Sequence, residues 1–269
     1  MGISRQAYYQ SEQAVAQRQK QVDGVLELVR DVRLEQPRIG TRKLHYLLRG
    51  ALVGQSIKLG RDGLFALLRT HRMLVPTKRA YHKTTMSHHR FYKHPNLLKS
   101  GPGQVTPKAP EQVWVSDITY LPTREETTYL SLVTDAYSRK IVGYHLDRHM
   151  QTVAVGQALR MALKQRTSDG PLVHHSDRGI QYCSAEYQRL HERHGITCSM
   201  TDGYDCYQNA LAERVNGILK EEFMIHKPGN LEEARQMVKE SIRIYNEKRP
   251  HLSLKYKTPD EVHRAFRGA

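Results

Sequence analysis

Three acidic side chains and one cation sit where they could do phosphoryl chemistry. Asp117 lies in Val113–Pro122, VWVSDITYLP, a β-branched and aromatic run that reads as a strand. Asp177 lies in Leu172–Tyr182, LVHHSDRGIQY, a short buried strand opening into a glycine-bearing turn. Glu213 stands near the start of Asn209–Glu222, NALAERVNGILKEE, which reads as a helix whose stripe of Leu211, Val215, Ile218 and Glu222 faces a core. Lys220 follows Glu213 by two turns and projects from the same face. A carboxylate on a buried strand is costly to desolvate, and three crowded carboxylates repel one another and hold protons. Divalent cations relieve both problems. Magnesium takes oxygen ligands, and a pair of ions about 4 Å apart can clamp the attacking and leaving oxygens of an in-line displacement. Each feature alone has a plainer reading: a helix carboxylate near a lysine is commonly a solvated face, and 27 acidic residues supply many triplets.

The elements around these residues follow an α/β pattern from residue 111 onward. Strands are expected at 113–121, 128–135, 139–146, 171–176 and 196–200, the first three as an antiparallel meander. Helices are expected at 152–166 with Thr152 as cap, at 184–194, at the Glu213 segment and at 231–247. Residues 118–176 separate the two Asp, which is 59 residues, and 178–212 separate Asp177 from Glu213, which is 35.

With these spacings the chain resembles the DDE transposases of bacterial insertion sequences, specifically the insertion-sequence-three family, and its catalytic part is similar to retroviral integrase. That family separates its last two acids by 35 residues and places Lys or Arg seven after the Glu, as here. ISRQAYY at 3–9 resembles the segment that opens the family's second reading frame. Tyr245, Asn246, Arg249, Pro250, His251, Leu254, Thr258 and Pro259 match its C-terminal signature. The resemblance implies a ribonuclease-H-like catalytic domain, a mixed five-stranded sheet with helices, preceded by a small all-α helix-turn-helix domain. It implies two Mg2+ ions, with Mn2+ as a substitute, held by Asp117, Asp177 and Glu213. It also implies DNA as partner (element terminal repeats and target), a homo-oligomer assembled on DNA, and an upstream-frame protein as possible fusion partner. Gln208 departs from the family, which commonly carries Asp there.

Charge agrees with a polyanion partner. Residues 1–110 carry 20 Lys+Arg against 6 Asp+Glu, whereas 111–269 carry 22 against 21. A solubilising surface is the bland alternative. Helices at 12–35, 42–49 (capped by Thr41) and 63–72 (capped by Asp62) resemble a helix-turn-helix module. Arg61, Arg69 and Arg72 are DNA-binding candidates on its last helix and Arg42 and Lys43 on the one before; Lys220 is another, beside the acids. An ordinary three-helix bundle remains open. Residues 76–110 are rich in Pro, Gly, Lys and His and read as a basic linker; its His82, His88, His89 and His94 fit no zinc spacing. The expected layout is an N-terminal helical segment 1–21, a DNA-binding domain 22–75, the linker 76–110, and a catalytic domain 111–269 with a helical tail. No apolar run of membrane length and no signal-peptide core are present, and Cys183, Cys198 and Cys206 form no CxxC pair, so a cytoplasmic setting is expected.

Asp135, Asp202 and Asp205 read as structural or turn residues, and His174 and His175 as packed or hydrogen-bonded. Ser116 and Tyr182 lack an evident base. Two other functions stay open: a DNA-binding regulator of transposition without catalysis of its own, and a nuclease on the same fold.

Overall fold

The computed structural model describes residues 5–76, 94–202 and 209–266, and the chain divides into two compact units, Met1–Arg79 and Ala80–Ala269. Lys78, Arg79, His82, His88, His89, Asp205 and Gln208 lie outside the described residues.

The first unit contains α1 (Arg5–Glu35), α2 (Thr41–Gly54) and α3 (Arg61–Thr70). Val25 and Val29 of α1, Leu44, Leu48 and Leu52 of α2, and Leu64 and Leu68 of α3 close one core with Ile39. Their three- and four-residue steps are the reason these segments pack as helices. α1 runs unbroken through position 21, with residues 5–21 exposed and burial starting only where the apolar stripe begins. The expected caps are displaced. α2 and α3 start after Gly40 and Gly60, without a side-chain cap bond. Thr41 is the first helical residue and is buried, and Asp62 lies in the first turn of α3, 2.9 Å from Arg61. Glycine is itself an accepted N-cap, so neither helix needs a side-chain oxygen there.

In the second unit β1 (Val113–Pro122), β2 (Thr127–Asp135), β3 (Ile141–Asp147), β4 (Leu172–Ser176) and β5 (Ile196–Met200) form a sheet in the order β3-β2-β1-β4-β5. The β1–β2 and β2–β3 pairs are antiparallel; β1–β4 and β4–β5 are parallel. Alternation along β1 sends Trp114 and Ile118 to a core shared with α4 (Thr152–Gln165) and α5 (Ala185–Arg193). The opposite face packs Leu121, Leu130 and Leu132 on α6 (Ala210–Ile218) and α7 (Leu231–Glu247). β3 lies hard against α4: a Cβ on Gly143 would come within 2.1 Å of the Ala158 carbonyl.

Of three further features, the second is the expected helical tail and the other two differ from expectation. The helix bearing Glu213 is α only to Ile218 and continues as a π turn, Leu219–Phe223. A short α8 (Pro259–Arg264) closes the chain, begun by a capping box between Thr258 and Glu261. Residues 94–110, read from the sequence as part of a basic linker, are held to the sheet. Leu97, Leu98 and Val105 pack on Val113, Val115 and Val173, and Leu97 N–H donates to Ser199 Oγ at 2.9 Å. Three apolar side chains are enough to hold this otherwise polar stretch to the sheet.

The C-terminal signature has structural work to do. β3 is an edge strand, and Asn246 serves that edge as a further strand would: its side chain accepts from Ile141 N–H and donates to Ile141 C=O, both at 2.9 Å. Tyr245 OH donates to the Arg139 carbonyl at 3.0 Å.

Candidate active site

Asp117 stands on the α6-facing side of β1, half-buried. The parallel pairing matches Val113 with Val173 and Val115 with His175, an offset of 60 residues; β4 ends at Ser176, and Asp177, the next residue, lies near enough to Asp117 for its charge to act on that carboxyl. Asp177 Oδ1 accepts from Gly179 N–H at 3.0 Å, and a Cβ on Gly179 would press on that same oxygen at 3.0 Å. Glu213 lies in the first turn of α6, where the helix dipole favours a carboxylate. The start of α6 is tied to β1 by Asn209, whose Nδ2 donates to the Ser116 carbonyl at 3.0 Å.

These acids share one electrostatic field. Burial first, then the charge of Asp177, pushes the Asp117 carboxyl up to about 7; Glu213 raises it further, while donors from Asn216 and Ile118 N–H oppose the rise. Asn216 Nδ2 donates to Asp117 Oδ2 at 2.8 Å, and Ile118 N–H to Oδ1 at 2.9 Å. Lys220 Nζ, in the π turn, donates to Thr119 Oγ1 at 3.1 Å, two residues along β1 from Asp117. Among the described residues no three His, Cys, Asp or Glu side chains are gathered closely enough to hold a metal ion as they stand. The donor set nevertheless suits a hard divalent cation: its groups are carboxylate oxygens, and burial with two neighbouring acids raises Asp117.

Sequence reasoning missed Asn216 and Thr119. Asn216 sits three residues after Glu213 and is fully buried. A polar amide in the middle of an apolar helix face was the signal available, and its partner on β1 was not.

The competing residues are accounted for locally. Asp135 is fully buried and accepts from Glu111 N–H at 2.6 Å and Ser138 N–H at 2.7 Å, a turn-holding role. Asp202 pairs with Lys99 at 2.9 Å. His174 and His175 are fully buried and hydrogen-bonded, as expected. Ser116 does meet a histidine, at 2.7 Å from His174 Nε2, but inside a closed chain. His191 Nδ1 faces the Tyr187 carbonyl at 3.0 Å and must carry a proton. Its Nε2 therefore accepts from His174 Nδ1 at 3.1 Å, which leaves His174 Nε2 to accept from Ser116. Burial holds both rings neutral, His191 lowered to about 4 and His174 well below its ordinary value. No exposed nucleophile results.

On the first unit, Arg42, Arg61 and Arg69 are exposed and Lys43 is half-buried. Arg72 is exposed too but lies past the end of α3, in a left-handed conformation (φ 55°), not on the helix as expected. No helix of the described residues is long and apolar enough to cross a membrane.

The integrase core domain family matches residues 107–206 and 194–259. A 31 kDa protein of insertion element IS600 from Shigella sonnei is 38% identical over 94% of this chain and 92% of its own length. Transposase InsF of insertion sequence IS3A from Escherichia coli K12 is 35% identical over 58% of this chain; the match spans 54% of InsF. Among solved structures, a chain of the simian T-cell lymphotropic virus intasome in complex with PP2A regulatory subunit B56 gamma superposes with a TM-score of 0.50 at 18% identity, over 83% of this chain and 74% of that one. That likeness is one of fold, the ribonuclease-H-like sheet expected from the sequence.

Proposed function

This chain belongs to the insertion-sequence transposases built on an integrase core, and from that premise we propose that Asp117, Asp177 and Glu213 are its catalytic and metal-binding acids. The observation that supports the reading is the upward push that the charges of Asp177 and Glu213 both give the buried Asp117 carboxyl. Mg2+, or Mn2+ in its place, would be held by these three side chains as an ion pair, supplying Lewis-acid stabilisation of the oxygens that attack and leave. In the first step a water oxygen bonds to phosphorus at the element's end as the P–O3′ bond breaks and frees a 3′-hydroxyl. In the second, that 3′-oxygen bonds to a target phosphorus as the target's own P–O3′ bond breaks. Asn216 orients Asp117, and Lys220 grips a DNA phosphate beside the acids. Arg42, Lys43, Arg61, Arg69 and Arg72 of the first unit bind the terminal repeat. The working form is a homo-oligomer on DNA, and the upstream-frame protein is a fusion partner.

The test is a cleavage and strand-transfer assay with terminal-repeat DNA and titrated Mg2+ or Mn2+. Metal-dependent joining that disappears in Asp117→Asn supports the reading, and full joining by that variant overturns it. Tight DNA binding by the wild-type chain without metal-dependent chemistry on any end sequence would instead identify a DNA-binding regulator.

A further inference from the structure

We infer that Arg249, in the C-terminal segment, is a positioning residue for Lys220 and acts through Glu222; the inference rests on the DNA-gripping role proposed for Lys220. The π turn Leu219–Phe223 is the element that joins them. A π turn is a rare conformation that persists where its surroundings fix it, often beside functional groups. Here it is fixed on both sides. Inward, Leu219 and Phe223 are buried in the core beneath the sheet. Outward, Glu222 meets Arg249 in a two-pronged pair, Oε2 to Nε at 2.8 Å and Oε1 to Nη2 at 2.6 Å. Between these anchors, Lys220 Nζ is delivered to Thr119 on the catalytic strand.

Arg249 is itself held from several directions. Its Nη1 lies 2.9 Å from His251 Nε2, its guanidinium sits 5.9 Å from the Tyr245 ring centre, and its backbone N–H bonds the Ile244 carbonyl at 3.0 Å. Asn246, three residues earlier, is fastened to β3. The Arg249 side chain is only 3% exposed and that of Glu222 19%. Burying such a pair contributes little net stability against apolar replacements, so its value lies in the geometry it imposes. The C-terminal segment therefore connects the sheet edge to the π turn that carries Lys220 to Thr119.

The test exploits a sign. Glu222→Gln removes a negative charge, so charge alone predicts tighter DNA binding with unchanged salt dependence. Loss of positioning predicts the opposite: the slope of log K against log salt falls by about 1, as in Lys220→Ala. Binding is measured on the full chain with a duplex carrying the element's own terminus and a random-sequence duplex of equal length. Glu222→Gln, Arg249→Lys and Lys220→Ala should each lose the same increment on both duplexes, and Glu222→Gln/Lys220→Ala should lose no more than Lys220→Ala alone. If Lys220→Ala lowers the slope while Glu222→Gln and Arg249→Lys keep it, the clamp is refuted and the role of Lys220 stands. If Lys220→Ala keeps the wild-type slope, the DNA-gripping role fails, and the clamp with it. Should Arg249→Lys melt too low to assay, Glu222→Gln, which leaves the guanidinium its His251 and Tyr245 contacts, decides the matter.

Discussion

Ser116 and Asp117 are neighbours on one strand, yet they serve opposite regions of the molecule. Ser116 faces α4 and α5, where its hydroxyl enters a closed chain through His174 and His191 to the Tyr187 carbonyl. Every link there is neutral and paired within the protein. Asp117 faces α6, where desolvation and two further acids leave a carboxyl raised to about 7. A fold can satisfy buried polar groups on one side of a sheet and leave charge in excess on the other. The side in excess is the one that has something to offer a cation.

The largest expected effect comes from erasing the difference. Asp117→Asn should abolish strand transfer, by about 10³-fold or more, for a loss of about 4 kcal/mol of transition-state stabilisation. It should also raise the melting temperature of the metal-free protein at pH 8. The sign follows from the raised carboxyl: its penalty is complete above about 7 and vanishes as pH falls toward the unfolded value near 3.9, so the gain in the variant should shrink over that window. The closed side behaves oppositely. His191, held neutral with a value of about 4, contributes stability that is lost as pH falls from about 6.5 toward 4. Melting followed from pH 8 to 4 in wild type and in Asp117→Asn separates the two slopes, and a variant whose gain does not depend on pH would contradict the assignment.

Asn216→Ala comes next. It strips a charge-assisted donor from Asp117, and joining should slow roughly tenfold, for about 1.5 kcal/mol, with DNA affinity kept. Lys220→Ala should act on binding, lowering the salt slope by about 1 on any sequence. Ser116→Ala has the smallest effect on chemistry. Joining should stay within about twofold while stability drops by about 1 kcal/mol, measured by urea unfolding. If Ser116→Ala impaired joining as much as Asn216→Ala, the two sides would not be functionally distinct.

Much of this was legible from the chain. Alternation and apolar stripes gave the five strands and the main helices of the second unit within a few residues, because those signals are local, whereas α1 starts seven residues before the expected 12 and α2 ends five after the expected 49. The acids stood out because carboxylates in strand-like text need an explanation. What escaped depends on distant partners. The π turn that follows α6 meets Arg249, 27 residues beyond Glu222. Arg249 and Asn246 were visible only as parts of a signature, since a sequence does not say that one meets Glu222 and the other β3. Thr41 and Asp62 have good capping chemistry, but Thr41 is drawn into the core and Asp62 into a pair with Arg61. Leu97, Leu98 and Val105 were too sparse among prolines and lysines to signal docking.

The register between β1 and β4 has a consequence for how this protein tolerates change. Where the chain after β4, and so Asp177, emerges relative to β1 depends on which rungs of the ladder face each other, and not on the length of the excursion between the strands. Extra residues in the bends at 123–126 or 166–171 would be absorbed at the periphery. Deleting a single residue between Val113 and Asp117 would turn the first acid toward α4 and α5, away from α6 and Glu213, while leaving the composition almost untouched.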